Sequence, residues 1–321
     1  NLAGAGDGGG IRVSQANGME VATNQGNRGR WYRVNIFNNM LTNNVAGVAG
    51  GGISVGDSLV VNIRNNTVAN NDSTSTGSQA FPPGPTNNLS VPLPAGIVSR
   101  VHSTALSDLV NNFGDVADSL PAGRRTQWQT FSDALIRNDI VHSNRSFFWS
   151  NFDDPNTPEI ESGLLPLGCT DVTGGDPSCV VQNPPAAANI LDFGVLDGIT
   201  LTGDSQNVRF SLLTDTTGTH VSNISGDPAF ASGYWNTARD AINIPEFKTL
   251  QTAGAFDEGG NFLQVQFGPL SLIGFDYHLL GGSAAIDGGA GVPATGRLSV
   301  DIDDEPRPQG AGVDIGADEA Q

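Results

Sequence analysis

Gly50-Gly51-Gly52-Ile53-Ser54-Val55, followed by Val61-Asn62-Ile63-Arg64-Asn65-Asn66 and then Val68 with Asn70-Asn71, is the stretch that decides the fold. The glycine triplet and its strand occur 42 residues earlier as Gly8-Gly9-Gly10-Ile11-Arg12-Val13. The second segment has relatives in Val34-Asn35-Ile36-Phe37-Asn38-Asn39 and Leu135-Ile136-Arg137-Asn138-Asp139-Ile140. In each, apolar residues alternate at a spacing of two and the run ends in asparagine, the pattern of a short strand closed by a turn. A further apolar step and another asparagine follow: Met40 then Asn43-Asn44, Val68 then Asn70-Asn71, Val141 then Asn144. Asparagine tolerates left-handed backbone and can hydrogen-bond from one repeat to the next. Short strands, Asn and Gly turns, and an interval read as two turns of about 21 residues predict an all-β chain. The expected fold is one right-handed parallel β-helix spanning residues 1–321, with inward Val, Ile and Leu stacked into a continuous core. Helical periodicity is nearly absent; the best candidate is the short stretch Ala105 to Asn112.

Two stretches interrupt the pattern and are read as loop excursions, at about residues 73–94 and 151–185. The first is rich in Ser, Thr, Gly and Pro; the second holds Asn151 to Pro185 with both cysteines. Cys169 and Cys179 flank a Gly174-Gly175-Asp176-Pro177 turn, so the chain can return on itself and close a disulfide. Such a bridge stabilises by about 3 kcal/mol on the loop-entropy account and fits an oxidising compartment. The strand pattern returns at Ala95 to Ser99 and from Leu191 to Leu213.

Composition narrows the function. The 321 residues carry only 15 Lys and Arg against 33 Asp and Glu, a net charge of −18. A phosphate-binding surface needs clustered cations, so nucleic acid is excluded as an expected partner. Enzymes acting on polyanionic sugars are disfavoured for the same reason. No apolar run is long enough for a transmembrane helix. The opening residues NLAGAGDGGG have neither a basic start nor an apolar core, so the chain is read as a processed piece of something longer.

Motifs that carry chemistry are few. Gly4-Ala5-Gly6-Asp7-Gly8-Gly9 matches a dinucleotide-binding spacing but precedes a strand, so it is read as turn glycine. His102, His142, His220 and His278 are far apart in sequence and form no metal-ligand spacing. Asp153, Asp154, Asp171, Asp192 and Asp197 are the candidates for paired acid and base in a polysaccharide hydrolase. None sits in a recurrent catalytic motif, so no catalytic residue is assigned. Trp31, Tyr32, Trp128, Phe147, Phe148 and Trp149 either stack on sugars or pack loops, and packing is the commoner use.

The last third is the most specific. It runs Gly226-Asp227-Pro228-Ala229-Phe230, Phe275-Asp276-Tyr277-His278-Leu279, Ser283-Ala284-Ala285-Ile286-Asp287-Gly288-Gly289, Asp301-Ile302-Asp303-Asp304-Glu305-Pro306-Arg307-Pro308 and Val313-Asp314-Ile315-Gly316-Ala317-Asp318-Glu319. This ordered series resembles the end of the bacterial "choice-of-anchor Q" proteins, tightly over residues 226–319 and more loosely upstream. Ala284 stands where that pattern has proline, Asp304 where glycine is common, and no anchor follows before Gln321. The resemblance implies a secreted or surface-displayed β-helix; it implies no activity.

Read from the residues themselves, Arg307 is poised to pair with Asp301, Asp303 or Glu319, and the segment is expected to cap the open end of the stack. The density of acid there, with Asp314 and Asp318 close by, predicts calcium as the bound metal. On strand alternation Asp301 and Asp303 share a face and are the expected ligands. The functional expectation is a non-catalytic extracellular or cell-surface structural or adhesion protein. Its partners would be other surface proteins or the rest of its own precursor. The alternative is a carbohydrate-binding or polysaccharide-cleaving protein.

Overall fold

A computed structural model describes residues 1–25, 27–83, 89–112, 123–153, 160–168, 190–198, 206–233, 276–291, 293 and 295–320. Its strands fall into separate parallel sheets of four or five strands. Sheet 1 contains β1 (Leu2–Ala3), β5 (Val45–Ala46), β9 (Asp72–Ser73) and β13 (Arg145–Asp153), with β14 (Ile160–Pro166) added antiparallel to β13. Sheet 2 contains β2 (Ile11–Ser14), β6 (Ile53–Gly56), β10 (Ile97–Arg100) and β15 (Phe193–Leu196). Sheet 3 contains β3 (Val34–Phe37), β7 (Val61–Arg64), β11 (Leu135–Arg137) and β16 (Asn207–Arg209). Sheet 4 contains β4 (Met40–Thr42), β8 (Thr67–Ala69), β12 (Ile140–His142), β17 (Leu212–Leu213) and β18 (Ile224–Ser225). An antiparallel pair, β19 (Phe230–Ser232) with β20 (Asp276–Leu279), stands apart.

The chain visits the four parallel sheets in the same order on each pass, and equivalent residues of successive passes, here called tiers, pair directly. Ile11 faces Ile53, Ile53 faces Ile97, and Ile97 faces Phe193. Ile36, Ile63, Ile136 and Val208 align in the same way in sheet 3. Alternation turns these residues inward, where they join Val55, Val68, Val141 and Leu213 in one buried cluster. Each such side chain contributes about 1.5–3 kcal/mol of burial free energy. The glycine triplets stack where sheet 1 gives way to sheet 2. A Cβ on Gly51 would lie 2.3 Å from the carbonyl oxygen of Asp72, and Gly50 has φ +62, so close backbone approach and left-handed geometry both require glycine there.

At the turns before and after sheet 4, a left-handed residue precedes each ladder residue: Asn38, Asn65 and Asn138 before one turn, Asn43, Asn70 and Ser143 before the other. The following side chain then bonds across tiers. Asn39 donates its backbone N–H and its amide to Asn66 Oδ1, and Asn66 does the same to Asp139 Oδ1 at 2.8 Å. In the parallel ladder Asn44 donates to Asn71, Asn71 to Asn144, and Asn144 to Asp192. Every ladder carboxamide thus satisfies turn amides that the packed tiers hide from water.

The expectation of an all-β chain wound as one right-handed β-helix is corrected. The described residues form several distinct parallel sheets, two antiparallel pairs and helices, a mixed arrangement in which no single β-helix solenoid is shown. The repeat misled because its step is irregular. Ile11 pairs Ile53 in one step, so the interval of 42 is not two turns. Elsewhere single steps differ widely, 27 residues from Asn39 to Asn66 and 96 from Ile97 to Phe193, set by insertions.

Several of those insertions are helical. Between sheets 2 and 3 lie α1 (Met19–Thr23), α2 (Thr104–Asn111) and α3 (Arg125–Thr130). The candidate stretch at Ala105 is therefore helical, and its cap is Ser103, whose hydroxyl accepts from Leu106 N at 3.4 Å. These helices cover Trp31, Leu59, Leu106, Val110 and Trp128 in a second buried cluster. The first excursion, too, is more than a polar loop: Ala80 and Leu93 are fully buried with Val48, Val98 and Leu196.

The C-terminal segment does not cap an end of the stack; it lies along the outer side of sheet 4, across several tiers. Tyr277 accepts at its hydroxyl from Asn43 and Asn70 Nδ2, both at 2.9 Å. Asn38 Nδ2 donates to Arg297 and Val300 carbonyls, and Asn138 bonds Ala290. Leu279, Ala285 and Ile315 cover Ile140 and Leu212. The inner strands of sheet 4, β8, β12 and β17, are therefore largely buried on both faces.

Asn71→Ala strips two donors of their acceptor and two acceptors of their donor inside the stack. Urea unfolding should show a loss of at least about 3 kcal/mol, whereas Asn62→Ala, which removes an exposed bond to Asn35, should stay within about 0.5 kcal/mol.

Candidate functional site

The chemistry-bearing residues concentrate in the C-terminal brace. Its centre is Arg307, whose guanidinium is fully enclosed and meets Glu319 Oε2 at 2.8 Å. It also donates to the carbonyls of Gly316 and Ala317 at 2.9 and 2.8 Å. Of the three partners expected for Arg307, the structure selects Glu319. Glu319 in turn accepts from Asp314 N and Gln309 N. Asp314 accepts from Asp287 N and Ala320 N, and Asp287 accepts from Gly312 N. These signature residues form one closed network rather than a reactive group.

Asp301 belongs to it. Its carboxylate is buried and accepts from Asp303 N at 2.9 Å, Glu305 N at 2.8 Å and Glu319 N at 3.2 Å. The two residues expected to bind calcium together therefore play different parts: Asp301 is committed to chain amides, while Asp303 is exposed. Asp303 Oδ2 lies 2.7 Å from His278 Nε2, and His278 Nδ1 bonds Asp276 Oδ1. Asp318 completes this group; its Oδ2 accepts from Leu279 N at 2.7 Å. Partial burial disfavours the imidazolium, but the hydrogen bonds to Asp276 and Asp303 outweigh it and push the His278 pKa up to about 9.

In the sequence, spacing sets His278 aside, and Asp318 counts only among the acids near the expected calcium site. The readable signal was Asp276-Tyr277-His278-Leu279: alternation sets Tyr277 and Leu279 on the buried face and Asp276 with His278 on the other. What no spacing revealed was that the 301–305 turn lies against that outer face.

The other candidates separate. Asp192 ends its ladder, accepting from Asn144 and, at Oδ2, from Thr214 N. Burial raises its pKa to about 6. Asp197 is exposed in a turn. The side chain of Asp153 and the whole of Asp154, Asp171, Cys169 and Cys179 lie outside the described residues. Trp31 and Trp128 stack face to face at 5.5 Å in the buried cluster and do not form a sugar platform. Phe147 is buried beside the Arg145 guanidinium; only Tyr32 of the group is exposed. A cleft of about 460 Å³ opens beside the third and fourth tiers, lined by Asp192, Phe193, Gln206, Arg209, Asp215 and His220 among others. Among the described residues, no helix is long and apolar enough to cross a membrane.

No family model matches this chain, and neither a curated protein nor a solved structure does.

Two outcomes follow. Asp139 is fully enclosed, and burial raises its pKa to about 7 against the hydrogen bonds from Asn66 and Arg137 and the charge of Arg64. A carboxyl whose folded value is raised contributes fully below its unfolded value and loses that contribution as pH rises through about 7. Asp139→Asn keeps the Oδ1 acceptor for Asn66 but gives up the Arg137 N–H bond to Oδ2, so it should flatten the parent's fall in melting temperature between about pH 4 and pH 8. Arg307→Gln leaves Glu319 buried without its cation, and chemical denaturation should show a loss of about 3–5 kcal/mol.

Proposed function

We propose that this chain is a non-catalytic structural or adhesion protein acting outside the cell or at its surface. The observation carrying this reading is that, among the described residues, acids buried in the stack and the brace are consumed internally. Asp72 is bound bidentately by Arg145 at 2.9 and 2.7 Å. Asp139, Asp192, Asp301 and Glu319 are each held by amide or guanidinium donors. A catalytic carboxylate has to be free to take or give a proton at substrate, and these are fixed in place as parts of the frame. The ordered signature from Gly226 to Glu319, and its resemblance to choice-of-anchor Q proteins, supports a surface address. The scarcity of Lys and Arg supports partners other than nucleic acid. Other surface proteins, or further parts of the same precursor, are the partners that fit.

The carbohydrate reading has one observation in its favour, the cleft with Arg209, Asp215 and His220 on its rim. A glycan array together with reducing-sugar release on neutral polysaccharides separates the two. The expected result is neither saturable binding nor turnover. Binding or turnover abolished by Asp215→Asn or His220→Ala, at exposed positions that hold no ladder bond, would replace the structural reading with the carbohydrate one.

A further inference from the structure

We propose that His278, Asp303 and Asp318 form a binding site for a divalent transition-metal ion with the ligand preferences of zinc. One donor atom from each lies within 4.8 Å of the others. Zinc bound at about 2.0–2.2 Å sets neighbouring donors roughly 3.3 Å apart, so closing the site takes shifts of up to about 1.5 Å. Two of the three side chains have room to make them: His278 is 44% exposed and Asp303 52%. Asp318 is the fixed member. It is 6% exposed, and among the described residues its carboxylate has a single hydrogen bond, at Oδ2 from Leu279 N. Its carboxylate therefore keeps acceptor capacity that a cation can use.

The surroundings fit a metal as well. Asp276 bonds Nδ1 of His278 and so turns Nε2 toward Asp303 and Asp318. A carboxylate on the far ring nitrogen is the usual means of orienting a metal-bound histidine. Asp276, Asp303 and Asp318 surround one imidazole, an excess of negative charge that a dication neutralises in place of the proton it displaces from Nε2.

The donor set also decides between metals. Calcium takes oxygen ligands in numbers of six to eight; here one donor is imidazole, and Asp301 has already spent its oxygens on backbone amides. Imidazole with carboxylate suits zinc and its neighbours, with water filling the remaining position. The ion would join β20 to the 301–305 turn and to the closing residues near Asp318, fastening the brace over sheet 4.

The test is titration calorimetry of the chelator-treated full chain with zinc chloride and, separately, calcium chloride, beside melting curves. One zinc per chain should bind saturably and raise Tm by several degrees. His278→Ala and Asp303→Asn should each weaken binding at least tenfold while retaining the parent's circular dichroism. Calcium should change neither heat nor Tm. Absence of saturable zinc binding overturns the site, as does zinc binding that both variants retain. Calcium binding lost in Asp303→Asn but kept in His278→Ala would overturn it in favour of an all-oxygen site.

Discussion

Every tier of this protein must turn twice around sheet 4, and at each turn backbone amides are sealed between the tier above and the tier below. Water cannot reach them, and an unpaired amide in that position costs about 1–3 kcal/mol. The two side-chain ladders answer this constraint. A left-handed residue turns the chain, and the next residue presents its carbonyl or carboxylate oxygen to the N–H and amide of the neighbouring tier. The ladder bonds fix the register of Asn39 on Asn66 on Asp139, and of Asn44 on Asn71 on Asn144. The alignment of Ile36, Ile63 and Ile136 inside follows from the same register. The apolar core supplies the driving force, and the ladders select which residues may lie above one another.

The brace depends on the same turns. Asn43 and Asn70 accept left-handed geometry and thereby aim their carboxamides outward, where the single hydroxyl of Tyr277 receives both. Asn38 and Asn138 do the same for the Arg297–Val300 and Ala290 backbone. Turn residues of sheet 4 are thus bonded inward along the ladder and outward to the C-terminal segment. The segment keeps its own shape through Arg307 and Glu319, a buried pair whose charges are each met by several further hydrogen bonds. That completeness is what makes a desolvated ion pair tolerable.

A chain of net charge −18 places several carboxylates where solvent cannot screen them. Asp72 is neutralised by Arg145 and Glu319 by Arg307. Among the described residues Asp139 and Asp192 meet only amide and hydroxyl donors, and burial raises their pKa values against those hydrogen bonds. Exposed acids remain elsewhere, Asp197 and Asp215 among them, but those gathered around one imidazole lie on the outside of the brace, at His278. Position in the stack, rather than residue type, separates frame from site.

Much was legible from residue order alone. Strand alternation gave the inward set, Val13, Ile36, Ile53, Ile63 and Ile136, because a period of two is a local property. The asparagine pairs marked the turns, and the glycine triplets marked the tight approach of chains, because left-handed backbone and close packing favour those residues wherever they occur. Doubled apolar steps such as Ile140-Val141 and Leu212-Leu213 carried a further signal, that the inner strands of sheet 4 are covered on both faces. Tertiary structure alone decided the rest. Intervals of 42, 27 and 73 residues give one step each, so helices and loops inserted between sheets erase any fixed period and break the expected single coil into distinct sheets. Asp301 and Asp303 share a sequence pattern but not an environment, since only the folded turn determines which carboxylate meets backbone amides. His278, Asp303 and Asp318 converge because β20 and the closing segment cross the same face of sheet 4, a contact between residues distant in sequence that no local pattern encodes.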